Sequence, residues 1–270
     1  MAVVPGPALR QIRAMTHLTP RQQQIMERVQ RAGFVAIDAL AHEFGLTPQT
    51  LRRDINALCA AGLLHRHHGG AGLPSSAQNV AYRARRVLQH EAKQRIARAV
   101  AERVPNQASI VLTLGTTTEE VARALLGHDG LRVLTNNLNV AATLSQNAGF
   151  EVIVAGGVVR SRDRGITGEA TIDFVRQFRV DHAITGISGI ARDGALLDFD
   201  YQEVRVVQAV MSRARQAWVV ADHSKFGRHA MVELGHLRDI DALVTDQTPP
   251  DPWPRQLAEA GVEIVVAPTA

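Results

Sequence analysis

Hydrophobic positions along the chain change period once, near residue 105, and the two periods predict two different folds. Up to that point the apolar residues recur at helical spacing. Thr19-Pro20-Arg21-Gln22 reads as a capping box opening a first helix, with Ile25, Val29 and Ala32 inward and Gly33 as its stop. Ile37 to Phe44 predicts a second short helix, closed by Gly45. Thr47 is a helix N-cap and Pro48 suits the first helical position of a third helix, whose Leu51, Ile55 and Leu58 line one face. Leu63 to Gly70 then reads as a short strand running into a turn, the place for a wing, and Gly69 to Ser76 as a hinge. Tyr82 to Val104 is charged and helical, with Ile96, Val100 and Val104 on one face.

Beyond it, short β-branched runs take over at Ser109–Leu114, Arg132–Leu134, Glu151–Ala155, His182–Ile187, Trp218–Ala221, Ala242–Thr245 and Val262–Val266. Helical stretches at Glu119–Leu126, Leu138–Gln146, Ala170–Phe178 and Gln202–Arg213 separate most of them. Alternating strands and helices predict a largely parallel sheet covered on both faces. The expected organisation is therefore a disordered stretch over 1–16 and an α+β winged helix-turn-helix over 17–74. A hinge and connecting helix come next over 75–104, and an α/β effector domain over 105–270.

Charge sharpens that division. Residues 1–74 carry net +4, residues 75–103 net +5 and residues 104–270 net −5. A basic front on an acidic body suggests a polyanionic partner for the front alone, although a solvated charged surface is the simpler reading of charge by itself. One cysteine, Cys59, excludes an internal disulfide and a cysteine-rich zinc site. No apolar run approaches the ~18 residues of a membrane span, and Met1 to Arg13 lacks the apolar segment of a secretory signal. A cytoplasmic protein without a cofactor or metal is expected.

Opposite the apolar face of the third helix stand Gln49, Arg52, Arg53 and Asn56. Guanidinium forks and amides are the groups that read base edges in a major groove, Arg on guanine and Gln or Asn on adenine. The candidate DNA-binding set is Thr47, Gln49, Thr50, Arg52, Arg53 and Asn56, with Arg66, His67 and His68 of the wing on the backbone. The cluster His65, His67 and His68 has no companion cysteines, which favours phosphate or groove contact over a metal.

Ligands of open parallel sheets bind beyond the carboxyl ends of the strands. The predicted strands lead into Gly115-Thr116-Thr117-Thr118, Asn136-Asn137, Gly156-Gly157, Gly186 to Gly189 and Asp222 to Gly227. Small, amide and hydroxyl residues there predict a polar ligand site. Gly115, Thr116 and Thr117 can offer amides and hydroxyls to a phosphate, the plain alternative being an ordinary helix cap. Lys225, the one lysine after residue 93, is a compact counter-charge. Asp198, Asp200 and Glu203 could accept ligand hydroxyls or serve as helix N-terminal acids. An enzyme, a phosphosugar isomerase with a DNA-binding appendage, is the competing class. It needs a general base, for which Asp198 or Asp200 are the only obvious candidates.

The runs Thr47-Pro48-Gln49-Thr50-Leu51-Arg52-Arg53-Asp54, His68-Gly69-Gly70-Ala71, Gly115-Thr116-Thr117, Thr135-Asn136-Asn137, Ala155-Gly156-Gly157 and Asp222-His223-Ser224-Lys225-Phe226-Gly227 resemble the DeoR family of bacterial transcriptional regulators. The resemblance spans about 17 to 246 and leaves out 1–16 and 247–270. It implies an operator-binding winged helix-turn-helix, an effector domain related to ribose-5-phosphate isomerase, a sugar- or polyol-phosphate inducer and a homo-oligomer. It carries the phosphate loop onto Gly115, Thr116 and Thr117 and its basic partner onto Lys225, with Asn136, Asn137, Asp198 and Asp200 as further effector candidates. Arg160 to Asp163, Gly168 to Thr171, Gly186 to Ile190 and Leu196 to Tyr201 point within the family to members answering to glycerol 3-phosphate. The isomerase's acidic active-site motif is not reproduced, which counts against catalysis.

Overall fold

The computed structural model describes residues 18–32, 34–61, 63–67, 69–72 and 82–269, and the chain divides into two compact units, Met1–Leu88 and Gln89–Ala270. The stretch 1–16, the expected helix stop Gly33, His68 and most of the Gly69–Ser76 hinge lie outside the described residues.

In the first unit α1 (Pro20–Ala32), β1 (Phe34–Ala36), α2 (Ile37–Phe44), α3 (Pro48–Ala60), β2 (His65–His67) and β3 (Gly70–Gly72) come in order. The capping box forms in both directions: the Gln22 amide donates to Thr19 Oγ1 at 3.2 Å and Thr19 N–H to Gln22 Oε1 at 3.1 Å. Gly45 ends α2 at φ +62°, a left-handed conformation that a side chain would strain. Ile25 and Val29, Ile37 and Leu40, and Leu51, Ile55 and Leu58 meet in one aliphatic core. Asp54 is buried on α3 and accepts from Arg21 Nε at 2.6 Å, tying α3 to α1. The strand β1, too short to leave a periodic signal, joins an antiparallel sheet in the order β1-β3-β2.

The connecting helix expected over Tyr82 to Val104 is two helices, α4 (Tyr82–Val87) and α5 (His90–Ala101). Gln89 breaks them at φ +54°. The reason is tertiary: Ala84 and Leu88 pack into the core of the first unit, whereas Ile96 and Val100 pack into that of the second. No glycine or proline marks the break, so the periodicity runs through it.

The second unit continues β4 (Ser109–Leu112), α6 (Thr116–Ala124), β5 (Arg132–Thr135), α7 (Leu138–Leu144), β6 (Glu151–Val154), β7 (Val158–Arg160), β8 (Gly165–Thr167), α8 (Glu169–Val175) and β9 (Val180–Gly186). It ends with β10 (Gly189–Ile190), β11 (Ala195–Asp198), α9 (Tyr201–Met211), β12 (Ala214–Val220), β13 (Val232–His236), β14 (Ala242–Thr245), α10 (Trp253–Glu259) and β15 (Glu263–Val266). Seven strands form the all-parallel sheet β15-β14-β12-β9-β4-β5-β6. Alternate strand residues point to opposite faces, which is why the runs are apolar throughout. Ile110, Leu112, Ile184 and Val244 pack with Ile96, Val121 and Leu144 of α5, α6 and α7. Val111 and Ala183 pack with Ile172, Val206 and Val210 of α8 and α9.

The chain adds strands in one direction from β4 to β6, then in the other from β9 to β15. Between β4 and β9 the loops after the strands diverge, the switch point where such sheets open a crevice. Two features escaped the hydrophobic pattern: the β7–β8 hairpin and the small antiparallel sheet β10-β11-β13.

Candidate functional site

On the first unit, α3 presents Gln49, Arg52, Arg53 and Asn56 to solvent while Leu51, Asp54, Ile55 and Leu58 are buried. Thr47 and Thr50 serve the helix start. Thr47 Oγ1 accepts from the Thr50 amide at 3.3 Å and lies 2.9 Å from Thr50 Oγ1. Arg66, expected to reach backbone phosphates, donates from Nη1 to Asn56 Oδ1 at 2.6 Å and so joins the wing to α3. His65 is exposed; the side chain of His67, like all of His68, lies outside the described residues.

On the second unit, the carboxyl ends of β4, β9, β12 and β14 gather polar groups. At the end of β4 the buried Thr113 hydroxyl pairs with that of Thr185 on β9 at 2.8 Å. Gly115 comes next at φ +151°, and a Cβ there would press on the Thr118 hydroxyl at 3.1 Å. Thr118 donates to Thr113 O or Gly115 O, both at 2.8 Å, which holds the turn. Glu119 is the first α6 residue to bond back, to Gly115 O at 3.1 Å. The amides of Thr116, Thr117 and Thr118 therefore start the helix outside its own ladder, as an anion site requires. Among the described residues the Thr116 and Thr117 hydroxyls have no hydrogen-bond partner.

Lys225 ends the turn His223–Lys225 that comes after β12. Beside it Asp222 is 1% exposed and accepts the Ser224 amide and hydroxyl. Burial pushes the Asp222 carboxyl up, but Lys225, Lys93, the Ser224 hydroxyl and His223 together hold it below the usual carboxylate range. His223 is anchored by Asp246, which lies just past β14: the carboxylate accepts the His223 amide and Nδ1, each at 2.7 Å. Arg95 of α5 approaches the same carboxylate at 3.5 Å.

Two expected ligand contacts also have structural duties. Asn137 caps α7 by accepting from Asn139 N–H at 2.9 Å, and its Nδ2 donates to Glu119 at 3.4 Å. Asp200 caps α9 through the Glu203 amide at 3.1 Å and accepts from Arg160 at 2.8 Å and Arg162 at 2.6 Å. Burial pushes the Asp200 carboxyl up, yet the Glu203 amide and both arginines hold it below its ordinary value. A carboxylate kept ionised in this way is the opposite of a tuned general base. Asp198 is buried and accepts from the Ser188 hydroxyl at 3.0 Å and the Phe199 amide at 2.6 Å. Asn136 donates to Ile166 O at 2.9 Å, while its Oδ1 is buried without a partner.

Lys93, Arg95 and Asp246 stand at the candidate site without having been singled out in the sequence, whereas Arg160 and His223 fall within runs that carry the family resemblance. For Lys93 a signal exists, because it falls on the same helical stripe as Ile96 and Val100. For the partners of Arg160 there is none, since Asp163, Asp200 and Glu203 come from two separate elements.

Two family profiles match: a DeoR-like helix-turn-helix domain over residues 21–77 and a DeoR C terminal sensor domain over 88–247. The chain belongs to the DeoR family. It is 52% identical over 232 residues to the glycerol-3-phosphate regulon repressor of Escherichia coli K12, covering 86% of this chain and 92% of that one. To the repressor of that name in Haemophilus influenzae it is 48% identical, covering 85% and 89%. Of solved structures, ribose 5-phosphate isomerase from Methanocaldococcus jannaschii aligns at a TM-score of 0.37 and 15% identity, over 51% of this chain and 55% of that one. In this DeoR-family chain the sensor profile begins where the second compact unit begins, within a residue.

Proposed function

We propose that this protein is a transcriptional repressor whose residues 17–74 hold operator DNA and whose residues 105–270 bind a phosphorylated polyol, glycerol 3-phosphate first, that relieves operator binding. On the DNA side, Arg52 and Arg53 supply phosphate and base contacts, and Gln49 and Asn56 reach base edges. A cytoplasmic homo-oligomer with two-fold symmetry would match paired half-sites.

The observation that carries the effector reading is the start of α6. Three amides outside the helical ladder and two unpartnered hydroxyls stand at the β4 end, next to the switch point. Lys225 stands two strands away in the sheet, after β12, with β9 between. A phosphate over the end of β9 meets donors from both sides. Asn136 Oδ1, an acceptor without a partner, suits a ligand that also carries hydroxyls. Such a ligand need shift operator affinity by only ~1–3 kcal/mol to act as a switch.

A thermal-shift panel of glycerol 3-phosphate, glycerol, inorganic phosphate and hexose phosphates tests this. The largest rise in Tm is expected with glycerol 3-phosphate. A larger rise with a hexose phosphate would reassign the effector, and no rise with any of them would remove the phosphate reading.

A further inference from the structure

Of the six large hydrophobic residues exposed among the described residues, three fall within six positions: Val154 at the end of β6, then Val158 and Val159 of β7. Val158 is 77% and Val159 50% exposed. Consecutive strand residues point to opposite faces, so β7 is apolar on both faces and open on both, the pattern of a strand from a sheet interior. Its edge is bare as well. On the far side of the β7–β8 ribbon, Ile166 donates its N–H to Asn136 O at 2.8 Å and accepts from Asn136 Nδ2 at 2.9 Å. Ile166 lies opposite Val159. In an antiparallel pair, a residue whose groups point away from its partner leaves that partner's N–H and C=O pointing outward too, so Val159 presents both at the outer edge of β7. Among the described residues no strand of this chain pairs there. The edge strands of the seven-stranded sheet, by contrast, each carry an exposed acid, Glu151 on β6 and Glu263 on β15, and such charges discourage pairing.

We propose that the outer edge of β7 pairs with β7 of a second copy of this chain, antiparallel about a two-fold axis at Val159, into a four-stranded sheet β8-β7-β7-β8. This rests on the homo-oligomer of the repressor reading and gives it a surface. A ribbon of two strands is marginal by itself, and pairing supplies the missing neighbour. Charge selects the same chain as partner and the antiparallel sense. Gly156 to Val159 carry no charge, and the Arg160 guanidinium is taken by Asp163, Asp200 and Glu203. A two-fold contact repeats every group on both sides, so a stretch bearing one sign would repel itself; this uncharged one does not. The exposed Arg162 and Arg164 sit in the turn beyond β7, and antiparallel pairing sends the turns of the two copies to opposite ends. The exposed Gly156 and Gly157 have no side chain to hold a second backbone off. Arg160 and Arg162 both hold Asp200, so the exposed Tyr201 next to it continues the surface with an aromatic, a residue type that interfaces favour.

Cysteine cross-linking of the full-length protein tests this. Under mild oxidation C59S/V159C should form a disulfide-linked dimer, because residues facing each other across such a ladder have Cα atoms about 5.5 Å apart, within disulfide reach. C59S/V266C, with its cysteine on the exposed end of β15, should not. Light scattering should find V159K at half the wild-type mass, since a lysine on an edge strand blocks pairing. Linking at V159C no faster than at V266C, in a protein whose wild type is heavier than one chain, overturns the β7 contact and leaves the homo-oligomer standing. A wild-type mass of one chain at every concentration, with no linked V159C dimer, removes the homo-oligomer and this contact with it. The cross-link replaces only an exposed valine on β7 with a small side chain, so a V159K variant that does not fold leaves the answer available.

Discussion

Arg66 on β2 donates to Asn56 Oδ1 on α3 at 2.6 Å, so the wing sets the amide of the residue proposed to read base edges. Guanidinium only donates, which makes the atom facing it the carbonyl oxygen whatever the amide's assignment. Asn56 thus turns Nδ2 away from Arg66. A free asparagine pairs with adenine by accepting and donating at once. With one of the two Oδ1 lone pairs engaged and the amide held by Arg66, the proposed contact would favour edges rich in acceptors, guanine O6 and N7 or thymine O4.

R66A should release Oδ1 and move the preference at the Asn56 base step toward adenine. N56D keeps an acceptor for Arg66 but loses the donor, and should move the same step toward cytosine. Each change corresponds to ~1–3 kcal/mol of discrimination. Selection from randomised half-sites reads all three proteins; identical preferences in wild type and R66A would break the link between wing and helix.

R53A should relax specificity at one base pair by ~1–3 kcal/mol while other positions keep theirs. Uniform weakening across sequences, with a shallower salt dependence, would make Arg53 a phosphate contact instead.

Arg160 binds Asp163, Asp200 and Glu203 within 2.8 Å and is 17% exposed. R160M leaves three carboxylates facing one another, and denaturant unfolding should show a loss of about 3 kcal/mol. The pH dependence has a definite sign. Asp200 titrates lower in the folded protein than its unfolded value of about 3.9, so its contribution is present above that pH and is lost as pH falls through the folded value. In R160M the acid-side loss below about pH 4 should shrink, and an unchanged acid limb would separate Asp200 from Arg160.

N137A should cost about 1 kcal/mol of stability, because it removes the α7 cap. Its glycerol 3-phosphate affinity should fall less than that of an N136A variant. Calorimetry on both proteins distinguishes a cap from a ligand contact.

The helices α1, α2 and α3 and all seven strands of the parallel sheet were legible in the sequence, because each buries a periodic or continuous apolar set. The candidate phosphate loop at Gly115–Thr117 drew attention because a parallel sheet points to the residues just past the end of each strand. The break at Gln89 was not, since two cores rather than a local breaker cut the helix. Asp200 and Asn137 carry a role that the sequence left open: acids and amides at helix starts serve caps as readily as ligands. That Arg160 reaches Asp200 from 40 positions away has no sequence mark.

The most direct test is an operator titration with and without saturating glycerol 3-phosphate, on wild-type protein and K225A at fixed salt. The wild type should lose operator affinity by roughly 5- to 150-fold when glycerol 3-phosphate is added, and the ratio for K225A should collapse toward one. Operator affinity of the wild type that is indifferent to glycerol 3-phosphate and to other sugar phosphates, or a K225A ratio equal to the wild type's, would contradict the effector-released repressor.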